Sequence, residues 1–299
     1  MQSRFARFAW FLLAYNIFVV AWGAYVRASG SGAGCGNHWP LCNGEVILQS
    51  PQTKTIIEFT HRITSGLDGL LVIALVVFAY KLYPAGHLAR KAAAWSLGLV
   101  ISEGLFGALI VKLGHVATNA STERGYTLAL HLCNTMCLLA ALALSAWYAT
   151  ERPVKKERKI SWILIAAALG ILVAGATGAI TALGDTLFKS ATFAEGFQKD
   201  FSEFSHPFVR LRVFHPALAL VPALLIAMFA GSVLASQNPS KNLKQLSYVL
   251  IFLLVAQLTM GAMNLVLMAP VPLQIMHLLG ADLLWITLAL AMAEERGGN

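Results

Sequence analysis

The sequence predicts an all-α integral membrane protein, with eight transmembrane helices arranged as two pseudo-symmetric four-helix bundles. Three observations lead there. Of the 299 residues, 58% are hydrophobic and 12% charged, and mean hydropathy is +0.68; a soluble domain carries about a quarter charged residues. Apolar runs of roughly 20 residues, the length needed to cross the hydrocarbon, recur eight times. Finally, features of the first half return in the second at a nearly constant spacing.

The first span covers about 8–27 and follows Arg4 and Arg7. Ala28-Ser29-Gly30 resembles a signal-peptidase site, but the run is long for a signal segment and the repeat needs it as a helix, so it is read as a span. The others fall at about 57–81, 91–112, 126–149, 160–182, 209–235, 246–268 and 273–293. Thirteen of the 22 Lys and Arg sit on alternate short segments: Arg4 and Arg7; Lys81, Arg90 and Lys91; Arg152, Lys155, Lys156, Arg158 and Lys159; Lys241 and Lys244; Arg296. The positive-inside rule then places both termini in the cytoplasm and loops 28–56, 113–125, 183–208 and 269–272 outside. The net charge of +8 is a mark of topology on short loops, which argues against nucleic acid as a partner. No transit-like stretch precedes the first span, so a bacterial plasma membrane is the expected location. In loop 183–208, Phe193, Phe197, Phe201, Phe204 and Phe208 recur every three or four residues among charges. That spacing predicts an amphipathic helix lying on the outer membrane surface or capping a site.

The repeat divides the chain into residues 1–150 and 151–299. Gly107-Ala108-Leu109 matches Gly261-Ala262-Met263 at an offset of 154, His61 matches His215 at 154, Gly23-Ala24 matches Gly178-Ala179 at 155, and His131 matches His277 at 146. Four spans per repeat give both halves the same orientation, related by an axis along the membrane normal.

Eight histidines occur. His38, His87, His115 and His206 fall in loops or at span ends, where solvent is expected to satisfy them. His61, His131, His215 and His277 lie in even-numbered spans at similar depth near the outer face. Imidazole is a common axial ligand of heme iron, and two on neighbouring helices of a bundle can clamp one heme. The expected pairs are His61 with His131 and His215 with His277. Small residues around them (Gly23, Ala24, Gly66, Gly69, Gly104, Gly107, Gly170, Gly175, Gly178, Gly261 and Gly280) permit close helix approach beside a large flat cofactor. Cys133 and Cys137, four apart inside a span, read as small hydrophobes.

The halves differ beside these histidines. Glu58 precedes His61 by one turn, and an ionisable group within a span is functional by default. Its counterpart at offset 154 is Arg212, and that of Arg62 is Pro216. A carboxylate there can relay protons or stabilise a developing cation. Arg212 in the second half, and Arg27 and Arg62 in the first, are candidates for heme propionates or snorkelling span-end residues. Cys35 and Cys42 lie in an outward loop and can close a small disulfide, either as a staple or as a pair active in thiol–disulfide exchange.

The stretch Gly34-Cys35-Gly36-x-x-Trp39-Pro40-Leu41-Cys42-x-Gly44, the motif Glu58-x-x-His61-Arg62 and histidines at 131, 215 and 277 in eight spans resemble the heme A synthase family. The resemblance covers essentially the whole chain. It implies a resident heme b on His215 and His277, the substrate heme o on His61 and His131, and Glu58 as the essential acid. It also implies oxidation of a ring methyl of heme o to a formyl group with O2 or water, giving heme a for cytochrome oxidase. Heme o synthase, cytochrome oxidase assembly factors and further copies of the chain are the partners it suggests, besides the lipid bilayer. Some members carry a cysteine pair in both halves; this chain lacks the second. A membrane di-heme b-type electron carrier, quinol-linked, or a heme transporter would also use four histidines. Neither accounts for Glu58 on one side only, or for the cysteine loop.

Overall fold

The computed structural model describes residues 2–49, 51–150 and 160–297. The basic cluster Arg152 to Lys159 lies outside the described residues. The described chain forms ten helices: α1 (Gln2–Ala28), α2 (Thr53–Leu82), α3 (Leu88–Lys112), α4 (Thr122–Tyr148), α5 (Trp162–Leu187), α6 (Phe193–Phe201), α7 (Pro207–Leu211), α8 (Phe214–Ala235), α9 (Lys241–Val266) and α10 (Val271–Gly297). Eight segments are long and apolar enough to cross a membrane, with α7 and α8 together forming the sixth, Pro207–Ala235. The protein is thus a multi-pass membrane protein, and each expected span is found with ends shifted by a few residues.

The helix starts follow from local chemistry. Ser121 and Ser240 cap α4 and α9 by accepting the N–H groups of Arg124 and Leu243 at 3.3 and 3.1 Å. Each satisfies a donor that has no partner within the helix. His87 does the same for Ala89 on α3, at 3.2 Å. Burial lowers its pKa, so at neutral pH it is uncharged and keeps the lone pair the cap requires. Its ring also stacks on Tyr83 at 4.3 Å.

The helices pack in two rings. In the first, α1 contacts α2 and α4, and α3 contacts α2 and α4; in the second, α8 contacts α5 and α9, and α10 contacts α5 and α9. The rings meet through α4 on α5, α4 on α10 and α1 on α10. Exchanging the halves maps this set of contacts onto itself, which is consistent with the pseudo-symmetric arrangement. The central spans, α4 and α10, are the most buried, and Trp285 Nε1 on α10 donates to the Met136 carbonyl on α4 at 2.6 Å. Lipid tails are as apolar as Leu, so this packing is held by van der Waals fit and such buried polar contacts rather than by expulsion of water.

The phenylalanine-rich loop departs from expectation. Its helix, α6, ends at Phe201 rather than running to Phe208. Phe193, Phe197, Phe201 and Phe204 are exposed, whereas Phe208 is buried. Phe208 begins a new turn, α7, and fills the space left by Gly125 and Gly184: a Cβ on Gly125 would lie 2.7 Å from its ring. Arg212 stands at the break between α7 and α8, where Pro216 has no N–H to offer its carbonyl. It turns out to meet Asp185 at the end of α5 (2.9 Å) and Asp200 on α6 (2.5 Å).

Candidate functional site

His61, His131, His215 and His277 stand six to nine residues into their spans. Each pair bridges opposite corners of a ring, since α2 and α4 both pack on α1 and α3, and α8 and α10 both pack on α5 and α9. His61 and His131 lie within electrostatic reach of one another, as do His215 and His277.

Glycine makes room for three of the four rings. A Cβ on Gly23 would sit 2.9 Å from His61 Cε1, one on Gly178 would sit 3.0 Å from His215 Cε1, and one on Gly261 would sit 3.2 Å from His277 Cε1. A Cβ essentially never comes within 3.0 Å of another heavy atom and seldom within 3.2 Å, so these rings lie close against bare backbone. The pattern joins spans one to two, five to six and seven to eight. Other glycines do not pack as expected. A Cβ on Gly66, Gly69, Gly104 or Gly107 would meet nothing within 4 Å, so these four do not serve close helix approach. They leave smooth backbone along α2 and α3 near the first histidine pair. Gly170, Gly175 and Gly280 do serve packing, against Pro222, Met136 and Gln257 respectively.

The ring nitrogens bear on whether heme fits. His61 Nδ1, His131 Nδ1 and His277 Nδ1 are buried without a hydrogen bond. A buried polar atom is normally satisfied, and these imidazoles have coordination capacity to spare. His215 is set differently. Its Nδ1 lies 3.1 Å from Thr177 Oγ1, and that hydroxyl is 3.0 Å from the carbonyls of Val173 and Ala174, which accept its hydrogen. The hydroxyl oxygen is therefore the acceptor toward Nδ1–H, which leaves His215 Nε2 as a free lone pair, the form a metal needs. The donor set and the glycine cradles fit a bis-imidazole heme in each ring. Among the described residues, no cluster of three His, Cys, Asp or Glu could hold a bare metal ion.

Glu58 and the cysteine loop form one unit. Cys35 and Cys42 are joined as a disulfide, and both are fully buried. The Cys35 N–H donates to Glu58 Oε2 at 2.8 Å. Arg62 donates to Glu58 Oε1 through Nε at 3.2 Å and through a terminal nitrogen at 2.5 Å. Its other terminal nitrogen donates to the carbonyls of His38 and Leu41, at 2.6 and 2.8 Å. Thr55 adds a bond to the Gly34 carbonyl at 2.9 Å. Only glycine fits at 34, where a Cβ would lie 2.5 Å from the Lys54 carbonyl oxygen. The disulfide loop is thus clasped onto the start of α2, one turn before His61, through a carboxylate that is 4% exposed.

The arginines expected to meet propionates are engaged by protein groups. Arg62 serves the clasp, and Arg212 is held by Asp185 and Asp200. Arg27 reaches from α1 across to the second half. One terminal nitrogen donates to the Ala182 carbonyl at 2.7 Å and Thr186 Oγ1 at 2.8 Å, and the other donates to Gln274 Oε1 at 3.1 Å. The second half therefore has carboxylates beside Arg212 after all, but they come from α5 and α6 and neutralise it.

Of the remaining histidines His38 is exposed, as expected, whereas protein groups rather than solvent engage His115 and His206. His115 is buried with a ring nitrogen 3.0 Å from Thr127 Oγ1. His206 accepts the Phe208 N–H at 3.2 Å and stacks on Phe188. Cys133 and Cys137 are free thiols, and Cys133 Sγ lies 3.7 Å from the Leu172 carbonyl.

Four polar groups escaped the sequence reading. Glu103 on α3 lies beside His131, and Gln257 on α9 lies beside His277. Both precede a matched glycine by four residues, at the same offset of 154, and that register was the available signal. Asp68 is buried against Asn16 at 2.7 Å. Asp282 is buried with neither carboxylate oxygen hydrogen-bonded.

Comparison with known proteins fits this geometry. The chain is 44% identical over 302 residues to a protein from Thermus thermophilus named protoheme IX farnesyltransferase, an alignment covering 99% of this chain and 50% of that protein. It is 39% identical over 135 residues to a heme A synthase of Alkalihalophilus pseudofirmus (45% of this chain, 43% of that protein). A heme A synthase of Bacillus mycoides is 34% identical over 128 residues, covering 42% and 41%. The chain thus aligns with half or less of the length of these relatives. The cytochrome oxidase assembly protein family, COX15-CtaA, matches residues 6–289, and the chain belongs to that family.

Proposed function

We propose that this protein is a heme A synthase, which oxidises a ring methyl of heme o to a formyl group. The observation that carries the reading is the contrast between two similar histidine pairs. Both stand at opposite corners of a four-helix ring, but only the first has a buried carboxylate clasped to a disulfide one turn away.

In this reading residues 1–150 hold the substrate and residues 151–299 a resident cofactor. His61 and His131 would bind heme o. His215 and His277 would hold heme b, which supplies one-electron transfer when bound. Thr177 fixes the His215 tautomer for that role. Glu58, held between Arg62 and the Cys35 N–H, sets a fixed carboxylate near the first pair. Such a carboxylate stabilises cationic character developing at a reacting methyl, and costs no reorganisation because its partners hold it in place. The clasp also excludes water from this end of α2. Arg27, bonded across the two halves, keeps their outer ends in register.

The farnesyltransferase name belongs to a relative twice as long as the stretch it shares with this chain.

Extraction and identification of the pigments of the purified protein tests the proposal. Heme o or a partly oxidised heme beside heme b supports it, whereas two hemes b would favour an electron carrier. Glu58→Ala should retain heme and stall conversion at heme o; full heme a output from that variant would sink the assignment of Glu58.

A further inference from the structure

The four histidines differ in what stands behind each ring. His215 Nδ1 is backed by the Thr177 hydroxyl; at His277 the Gln257 amide lies 3.4 Å from Nε2, the other ring nitrogen, and donates to the His277 carbonyl at 3.0 Å, while Nδ1 has no hydrogen bond. Both partners are neutral. His61 Nδ1 has no hydrogen-bond partner among the described residues. His131 alone faces a carboxylate: Glu103 Oε2 lies 3.2 Å from its Nδ1. The two groups are close but not aligned as a hydrogen bond, and a small turn of the imidazole would align them.

Glu103 is itself pinned. Asn134 Nδ2 donates to its Oε1 at 2.5 Å, and Thr135 Oγ1 lies 3.1 Å from both oxygens. Asn134 is fixed in turn by the Leu99 carbonyl at 3.0 Å and the Ser102 hydroxyl at 2.6 Å. A carboxylate held this way is a preformed acceptor beside a ring nitrogen that lacks one. At the equivalent place in the second half the same register carries Gln257.

We propose that Glu103 is the positioning partner of His131: it accepts the Nδ1 proton, presents Nε2 to the heme iron and makes the first-half heme site the more electron-rich of the two. The inference rests on the reading of His61 and His131 as a heme pair. A carboxylate behind a ligand imidazole fixes its tautomer and raises its basicity. The added negative charge stabilises the oxidised metal, so the first-half heme has a lower reduction potential than a neutral partner would give. Gln257 leaves the second-half site without that charge.

The test uses full-length protein reconstituted with heme b at both sites. Heme content and the two midpoint potentials are measured at fixed pH for wild type, Glu103→Gln, Glu103→Asp and Glu103→Ala. Glu103→Gln should weaken first-half heme binding by about 10–100-fold, raise the first-half potential and leave the second unchanged. Glu103→Asp should recover part of that shift, and Glu103→Ala should raise the first-half potential as Glu103→Gln does. Unchanged potentials in Glu103→Gln would overturn the proposal. Should that variant not fold, an unchanged first-half potential in Glu103→Ala would overturn it instead. A wild-type chain that takes up heme only at His215 and His277 would refute the underlying heme pair, a result distinct from either.

Discussion

Replacing Gly23 with Ala should empty the first histidine pair of heme while sparing the second. The added Cβ would lie 2.9 Å from His61 Cε1 and 3.1 Å from Nε2. Non-bonded carbons settle at about 3.5–4.0 Å, so ring or helix must retreat by roughly 0.6–1.1 Å. Overpacking of this kind costs about 1–3 kcal/mol, or roughly five- to 150-fold in occupancy at a tenfold loss per 1.4 kcal/mol. Gly178→Ala, with its Cβ 3.0 Å from His215 Cε1, should do the same to the second pair. Gly231→Ala is the control, because a Cβ there meets nothing within 4 Å. The assay is heme per protein by pyridine hemochrome, with the surviving low-spin spectrum assigned by His61→Ala and His215→Ala. Full first-pair occupancy in Gly23→Ala, or an equal loss in Gly231→Ala, would refute the reasoning.

Three further outcomes follow from buried polar groups. Arg62→Ala leaves Glu58 buried without its ion-pair partner and releases two loop carbonyls. A loss of about 3–5 kcal/mol should appear as a lower melting temperature in detergent, and Arg62→Lys should recover only part of it because an ammonium cannot fork between carboxylate and carbonyls. Asp282→Ala removes a buried carboxyl group whose oxygens have no hydrogen bond; stability should rise by about 1–3 kcal/mol, measured by thermal unfolding. Trp285→Phe deletes the 2.6 Å bond from α10 to the Met136 carbonyl and should cost about 0.5–1.5 kcal/mol, the net worth of a hydrogen bond, again read as a lower melting temperature.

Sequence alone determined the class of this protein. Eight apolar runs separated by short loops leave a chain few alternatives, because backbone polar groups in hydrocarbon must be satisfied within each segment. The same one-dimensional register gave the offset of 154 that pairs His61 with His215, and set Glu58 apart by its replacement with Arg212. Local spacing even brought Glu58 and Arg62 onto one helix face, where they meet. The tertiary structure decided what each side chain faces. Arg212, Arg62 and Arg27 look alike in sequence, as cations at span ends. Folding assigns them to two carboxylates, a disulfide clasp and the seam between halves, because their partners come from distant segments. Gly23 and Gly66 are equally bare in sequence, yet one underlies a histidine ring and the other meets nothing. His115 sits where a loop histidine should be solvated, and α4 buries it. Glu103 was in plain register with Gln257. Its meaning emerged only when α3 and α4 packed and set one carboxylate behind one imidazole, since the proximity of two ionisable groups on different helices is a property of packing and not of spacing along the chain.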